Sequence, residues 1–234
     1  MTSTLLKASA AIVAVAAGAY AVAGPSERAM AAAPSAVPAP VIDNPLAEKP
    51  GEEVAVFAGG CFWGIQAVYQ HVKGVKSAVS GYTGGSQPRP TYNEVSSGRT
   101  GHAEAVRIVF DPSQVSYGTI LRVLFAVAHD PTQLNRQGPD VGTQYRSEIF
   151  FTSQAQKRIA AAYIDQLGKA KVFSRPIVTK LSQLGPFTVA EDYHQNYANE
   201  HPNDMYIRIH DAPKVEALKT ELSSLYKSEL SAWK

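Results

Sequence analysis

Residues 53–70 read "EVAVFAGGCFWGIQAVYQ", and no other stretch constrains the fold as much. A short apolar run, Glu53–Gly59, has the composition of a strand and ends in glycines. Past Cys61, the residues Ile65, Val68, Tyr69 and Val72 take up helical spacing. The chain therefore opens its folded part with a strand that runs straight into a helix. Cys61 sits at that junction and is the only cysteine of 234 residues, so no internal disulfide exists. A packed core has to hold the fold, and 45% hydrophobic with 18% charged residues suits one.

The rest of the chain adds elements of both kinds. "VKSAVSGY", Val75–Tyr82, is a second strand that stops at Gly84-Gly85, and the polar "SQPRPTYNEVSSGRTG" is a loop. His102–Phe110 alternates as a strand and is ended by Asp111-Pro112. Ser116 caps a helix through Ala128, with Ile120, Leu121, Leu124 and Phe125 on one face. "HDPTQLNRQGPDVGTQYRS" is a long loop, and loops of this length in compact domains are often functional. "EIFF" is a strand; Ser153 with Gln156 forms a capping box for a helix to about Leu167. Arg175–Ser182 is a strand, and Asp211 with Pro213 opens a last helix carrying Val215, Leu218, Leu222 and Leu225. This order predicts an α+β domain: a split βαβ (ferredoxin-like) core, with helices packed on a mixed sheet.

The first 50 residues differ from the remainder. Lys7 is followed by an apolar run from Ala8 to Ala23, with small-x-small sites at Ala21–Ala23 and Ala29–Ala31. Residues 1–23 read as a secretory signal peptide, with an uncleaved membrane anchor as the alternative; the run falls short of the roughly 20 residues that span a bilayer. Residues 24–50, rich in Pro and Ala, read as a disordered linker, and residues 51–234 as the domain. The expected location is periplasmic or extracellular. A net charge of +2 without a long basic run gives no case for nucleic acid.

An unpaired cysteine in an exported protein points to a working thiol or to pairing between molecules. Cys61 lies where the free N–H groups of a helix start could lower its pKa, and Gly59, Gly60 and Gly64 allow close approach. The competing reading is an inert buried cysteine. Phe62 and Trp63 are core residues or the walls of an apolar slot that suits an alkyl-sulfur group. Glu104 shares a strand face with Val106 and Ile108, where a carboxyl has a raised pKa and acts as a proton donor; the alternative is a solvent-facing strand end. Tyr92, Asp140 and Tyr145 lie in loops. His194, in "AEDYHQNY", has the simpler role of holding its loop. The six histidines are scattered and no second cysteine exists, so no metal site is expected.

Taken together, "GCFWG", "GYTGG", "PTYNEVSSGRTGHAEAV", "HDPTQLNRQGPDVGTQYRS" and "AEDYHQNY" closely resemble the peptide-methionine (S)-S-oxide reductases, the A-type methionine sulfoxide reductases. The resemblance runs from about Val54 to Leu225. It implies that Cys61 attacks the sulfoxide sulfur, that Phe62 and Trp63 hold the methyl group, and that Glu104 is the acid. It further implies that Tyr92 and Tyr145 hydrogen-bond the sulfoxide oxygen, that Asp140 organises the site, and that His194 and Tyr197 lie near its rim. The resemblance implies the S epimer; the enzyme is expected to be a monomer without a bound cofactor. Many members carry further cysteines near the C-terminus; this chain has none. A sulfenic acid on Cys61 must then be reduced by an outside thiol: a thioredoxin-like or glutaredoxin-like protein, or a small thiol.

Overall fold

The computed structural model describes residues 37–233. The expected signal peptide or anchor at 1–23 and the first part of the expected linker, 24–36, lie outside the described residues. No helix among the described residues is long and apolar enough to cross a membrane.

Six strands form one mixed sheet. They are β1 (Glu53–Gly59), β2 (Val75–Thr83), β3 (Ala103–Phe110), β6 (Ser147–Phe151), β7 (Lys180–Gln183) and β8 (Thr188–Val189), in the spatial order β7-β6-β1-β3-β2-β8. Strand β3 is antiparallel to both β1 and β2, so β1 and β2 run parallel with β3 inserted between them. Helix α1 (Phe62–Gln70) makes the crossover. Strand β6 adds antiparallel to the other side of β1, after α3 (Tyr117–Val123) and its continuation as a π-helical turn, Leu124–Ala128. The four strands β6-β1-β3-β2 are thus a split βαβ core, and β7, parallel to β6, makes the sheet mixed.

Side-chain alternation explains which face carries the helices. Ala55 and Phe57 of β1 and Val106 and Ile108 of β3 join Ile65, Val68 and Tyr69 of α1 and Ile120, Leu121 and Leu124 in one large core. Helix α4 (Gln154–Lys169) adds Ile159, Ala160, Tyr163 and Leu167 to it. The other face carries the intervening residues Val56, Ala58, Ala103 and Ala105, a much smaller cluster closed by Phe150. Glu104 lies in the register of Val106 and Ile108, on the face that meets α1.

Several local expectations change. The segment 37–50 is not a free linker. Val37 is buried, its carbonyl accepts from Arg122 Nε at 2.8 Å, and the Tyr163 hydroxyl donates to Pro38 O at 2.6 Å. The Gln166 amide brackets the extended chain, donating to Ala39 O and accepting from Val41 N–H. Asp43 accepts from Gly118 N–H at the start of α3. A Pro-rich segment of this kind has little backbone freedom to lose, and donors on α3 and α4 satisfy its carbonyls. The strand expected at 175–182 begins only at Lys180, because Pro176 lacks an N–H and Val178 N–H goes to Pro131 O instead of a ladder. The loop around Tyr92 holds a short helix, α2 (Tyr92–Ser96), whose Thr91 N–H is bonded by Glu94 at 2.8 Å. The long loop contains a small hairpin, β4 (Arg136–Gln137) and β5 (Asp140–Val141).

Candidate active site

Gly60 makes the junction between β1 and α1. Its φ of +101° is a left-handed conformation, and a Cβ there would fall 2.5 Å from Gln137 Cγ. The turn leaves Cys61 as the N-cap residue of α1. From β3, Glu104 reaches the same point: its Oε2 accepts the Phe62 N–H at 3.1 Å. One of the free donors of the helix start is thereby given to the carboxyl next to the thiol.

Cys61, Phe62, Trp63 and Glu104 form one side of a cavity of about 200 Å³. Tyr92 from α2, Asp140 from β5, Tyr145 and Tyr206 complete it. Cys61 is only 8% exposed and Glu104 2%. Burial pushes the Glu104 carboxyl up to about 8; the Phe62 N–H opposes that shift, and the charges of Asp140 and Asp211 add to it. The helix start does not lower the thiol overall, contrary to expectation. The Trp63 N–H does favour the thiolate, but desolvation, followed by Glu104 and Asp211, pushes Cys61 well above the ordinary cysteine value. At neutral pH the resting site holds both a carboxylic acid and a thiol.

The phenols are held in place by their neighbours. Tyr145 closes a 3₁₀ turn, Thr143–Tyr145, fixed by the next residue: Arg146 Nη1 donates to Thr143 O at 2.9 Å. That guanidinium is itself held by Glu148 at 2.5 Å, both side chains being buried. Glu191 anchors Tyr92, accepting its N–H at 2.9 Å, and takes the Tyr82 hydroxyl at 2.8 Å. Burial first, then the Glu104 charge, raises the pKa of Tyr145, and burial raises that of Tyr92, so both phenols keep their protons.

Seven of the nine residues picked from the sequence meet in this cavity. His194 and Tyr197 do not line it; they stand behind its aromatic wall. Tyr197 stacks on Trp63 with ring centroids 3.9 Å apart, and His194 Nδ1 accepts the Trp63 indole N–H at 3.2 Å. Burial lowers the pKa of His194, which suits a neutral acceptor. Asn196, with φ +57°, makes the turn into the short helix α5 (Tyr197–Glu200) and so brings Tyr197 round. The residue missed is Tyr206, whose hydroxyl donates to Asp140 Oδ2 and closes the cavity from the C-terminal segment. No group of three or more His, Cys, Asp and Glu residues among the described residues is placed to hold a metal. His102 and His129 are each engaged elsewhere, the first with Gly85 and Gln87, the second with Leu124 O and Ser147.

A thiol, a protonated carboxyl and two phenolic donors around a cleft with aromatic walls suit reduction of a small sulfur–oxygen group. The profile of the family described as peptide methionine sulfoxide reductase matches residues 53–225. The chain belongs to this family. It is 57% identical over 177 residues to Peptide methionine sulfoxide reductase MsrA 2 of Mesorhizobium japonicum, which covers 76% of this chain and 91% of the relative. It is 52% identical over 178 residues to Peptide methionine sulfoxide reductase MsrA of Deinococcus radiodurans, covering 75% and 86%. Among solved structures, methionine sulfoxide reductase A of Corynebacterium diphtheriae aligns with a TM-score of 0.56 at 36% identity, over 70% of this chain and 86% of that one. Mxr1 of Saccharomyces cerevisiae in reduced form aligns with a TM-score of 0.59 at 28% identity, over 67% and 93%. The reductase is an oxidoreductase that acts on methionine sulfoxide.

Proposed function

We propose that Cys61 is the nucleophile and Glu104 the acid of a one-cysteine reductase that takes the S epimer of methionine sulfoxide, free or within proteins, and so repairs oxidised proteins. The observation that carries this reading is the shared position of the two groups: the Glu104 carboxyl is bound to the amide that follows Cys61, and both line one cavity. A volume of about 200 Å³ lies below the roughly 300–1,000 Å³ typical of whole small-molecule ligands. It suits the tip of a side chain whose backbone stays outside. The methyl group lies against Phe62 and Trp63, gaining on the order of 0.8 kcal/mol from burial, and its placement selects the epimer that presents sulfur to Cys61.

The oxygen faces Glu104, Tyr92 and Tyr145. Glu104 protonates it, which removes the obstacle of expelling an oxyanion and is worth about 10²–10⁴-fold. The phenols stabilise the charge that remains. As Cys61 sulfur attacks, the thiol proton replaces the one that Glu104 gave. The hydroxyl then passes to the Cys61 sulfur as the bond between the two sulfurs breaks: the sulfoxide sulfur gains two electrons, Cys61 loses two, and the products are a Cys61 sulfenic acid and methionine, free or still within its protein. An outside thiol then displaces that oxygen as water and forms a mixed disulfide. A second thiol releases Cys61 reduced. Thioredoxin-like or glutaredoxin-like proteins and small thiols fit this requirement, since the chain has no second cysteine.

The test is reduction of each epimer of a sulfoxide peptide by wild type and Cys61→Ser, with a dithiol protein or a small thiol as donor. Turnover of the S epimer alone, abolished in Cys61→Ser, is expected. Equal use of both epimers, or turnover by Cys61→Ser, contradicts the assignment. For residues 1–23 we infer a signal peptide that exports the enzyme. Its composition supports this, and N-terminal sequencing of the mature protein from fractionated cells tests it: a start beyond Ala23 in the exported fraction is expected, and an intact Met1 in the cytoplasm refutes it.

A further inference from the structure

Gly64, in the first turn of α1, lacks a side chain where another element fills the space. A Cβ there would lie 2.1 Å from Asp211 Oδ1 and 2.8 Å from Lys214 Nζ. These two residues belong to the start of α6 (Ala212–Glu221) and form an ion pair of 3.0 Å. Asp211 is fully buried, while Lys214 keeps 17% of its side chain exposed. Asp211 makes no capping bond to α6, and its Oδ2 has no hydrogen-bond partner among the described residues. A buried pair with an unsatisfied oxygen is a poor way to stabilise a fold, because apolar residues of similar volume do as well or better. Its place is one helical turn from Cys61, yet neither residue lines the catalytic cavity.

Several charged or titratable groups face Cys61. Glu104 comes from β3, and Asp140, Tyr92, Tyr145 and Tyr206 share its cavity. Tyr197 stands behind Trp63, and Asp211 and Lys214 come from α6. Asp211 is also faced by His210 and Asp140. Lys214 is a cation close enough to act on the thiol, and it favours the thiolate where Glu104 and Asp211 oppose it. We propose that Asp211 and Lys214 are positioning residues: the buried carboxylate holds an ammonium against the first turn of α1, where the balance of the two charges sets how readily Cys61 gives up its proton. When substrate fills the cavity and excludes water, that ammonium is the standing positive charge that favours the attacking sulfur as thiolate.

This inference rests on Cys61 as the nucleophile. Alkylation of Cys61 needs no turnover, so the two ideas fail separately. The experiment follows the rate of iodoacetamide alkylation of the full chain against pH, with kcat and KM on a sulfoxide peptide, in Lys214→Met, Asp211→Asn, the double variant and Lys214→Arg. Lys214→Met should raise the alkylation midpoint by about one pH unit and slow alkylation roughly tenfold at fixed pH below it. Asp211→Asn should shift the midpoint the opposite way and speed alkylation. The double variant should return toward wild type, Lys214→Arg should keep the wild-type midpoint, and KM should stay unchanged throughout. Shifts of the same sign in both single variants, or no shift in proteins that melt as wild type does, overturn the proposal. So does an Asp211→Asn chain that fails to fold, since that assigns the pair a structural task.

Discussion

Replacing Glu104 by glutamine keeps the shape of the side chain and the acceptor for the Phe62 N–H, and removes the proton. In the wild type, burial drives the carboxyl from its ordinary 4.5 to about 8. A difference of that size corresponds to about 5 kcal/mol of preference for the neutral form inside the fold, as an order of magnitude. Between these two values the folded protein keeps a proton that the unfolded chain has lost. The stability tied to the neutral carboxyl is therefore complete below about pH 4.5 and is lost as pH rises through about 8. Glutamine is neutral throughout, so Glu104→Gln should melt higher than wild type above pH 8 and match it below 4.5. Turnover should behave in the opposite way. Wild-type kcat should fall as pH rises through about 8, when the acid is gone. Glu104→Gln should show a kcat lower by about 10²–10⁴-fold, with substrate affinity retained and the descending limb absent. Steady-state reduction of a sulfoxide peptide from pH 6 to 10, beside thermal melts over the same range, measures both. Undiminished turnover in Glu104→Gln, or a descending limb near pH 8 that survives the substitution, refutes the reasoning.

Other substitutions test the supporting structure. Gly60→Ala should destabilise the chain by about 1–3 kcal/mol and cut turnover, since its positive φ and the Gln137 side chain exclude a Cβ; a melt within 1 °C of wild type would contradict this. Tyr197→Ala removes the ring stacked on Trp63, so KM for a sulfoxide peptide should rise several-fold with a smaller change in kcat; the reverse pattern would place Tyr197 in the chemistry. A chain starting at residue 51 should be less stable than one starting at 37 by about 2–5 kcal/mol in denaturant titrations, because it loses buried Val37 and the bonds to Arg122, Tyr163 and Gln166. Equal midpoints would mean that the segment contributes nothing.

Elements set by local pattern were readable from the sequence. Strand β1 and helix α1 follow from apolar spacing and glycines within one stretch of 18 residues, and the split βαβ order follows from the sequence of elements. Helix α2 was readable too, through the Thr91–Glu94 spacing, but its Pro- and Gly-rich surroundings masked that signal. What depends on distant residues was not. The helix start argues for an acidic Cys61, and its effect exists through the Trp63 N–H, but burial and carboxylates 43 and 150 residues further along the chain outweigh it. The segment 37–50 has few large apolar groups, so composition argues for disorder; its order comes from donors on α3 and α4 that no local pattern announces. Tyr206 lies in a tail notable by sequence only for lacking cysteine, and its place comes from a bond to Asp140 across 66 residues and an edge-on contact with the Trp63 ring.

The most direct test of Cys61 as the acceptor of the sulfoxide oxygen is a single turnover without reductant, followed by mass spectrometry of the protein and quantitation of the methionine formed. One equivalent of methionine and one added oxygen atom on the peptide that carries Cys61, reversed by an added thiol, is the predicted result. Methionine released while Cys61 stays unmodified would contradict the account.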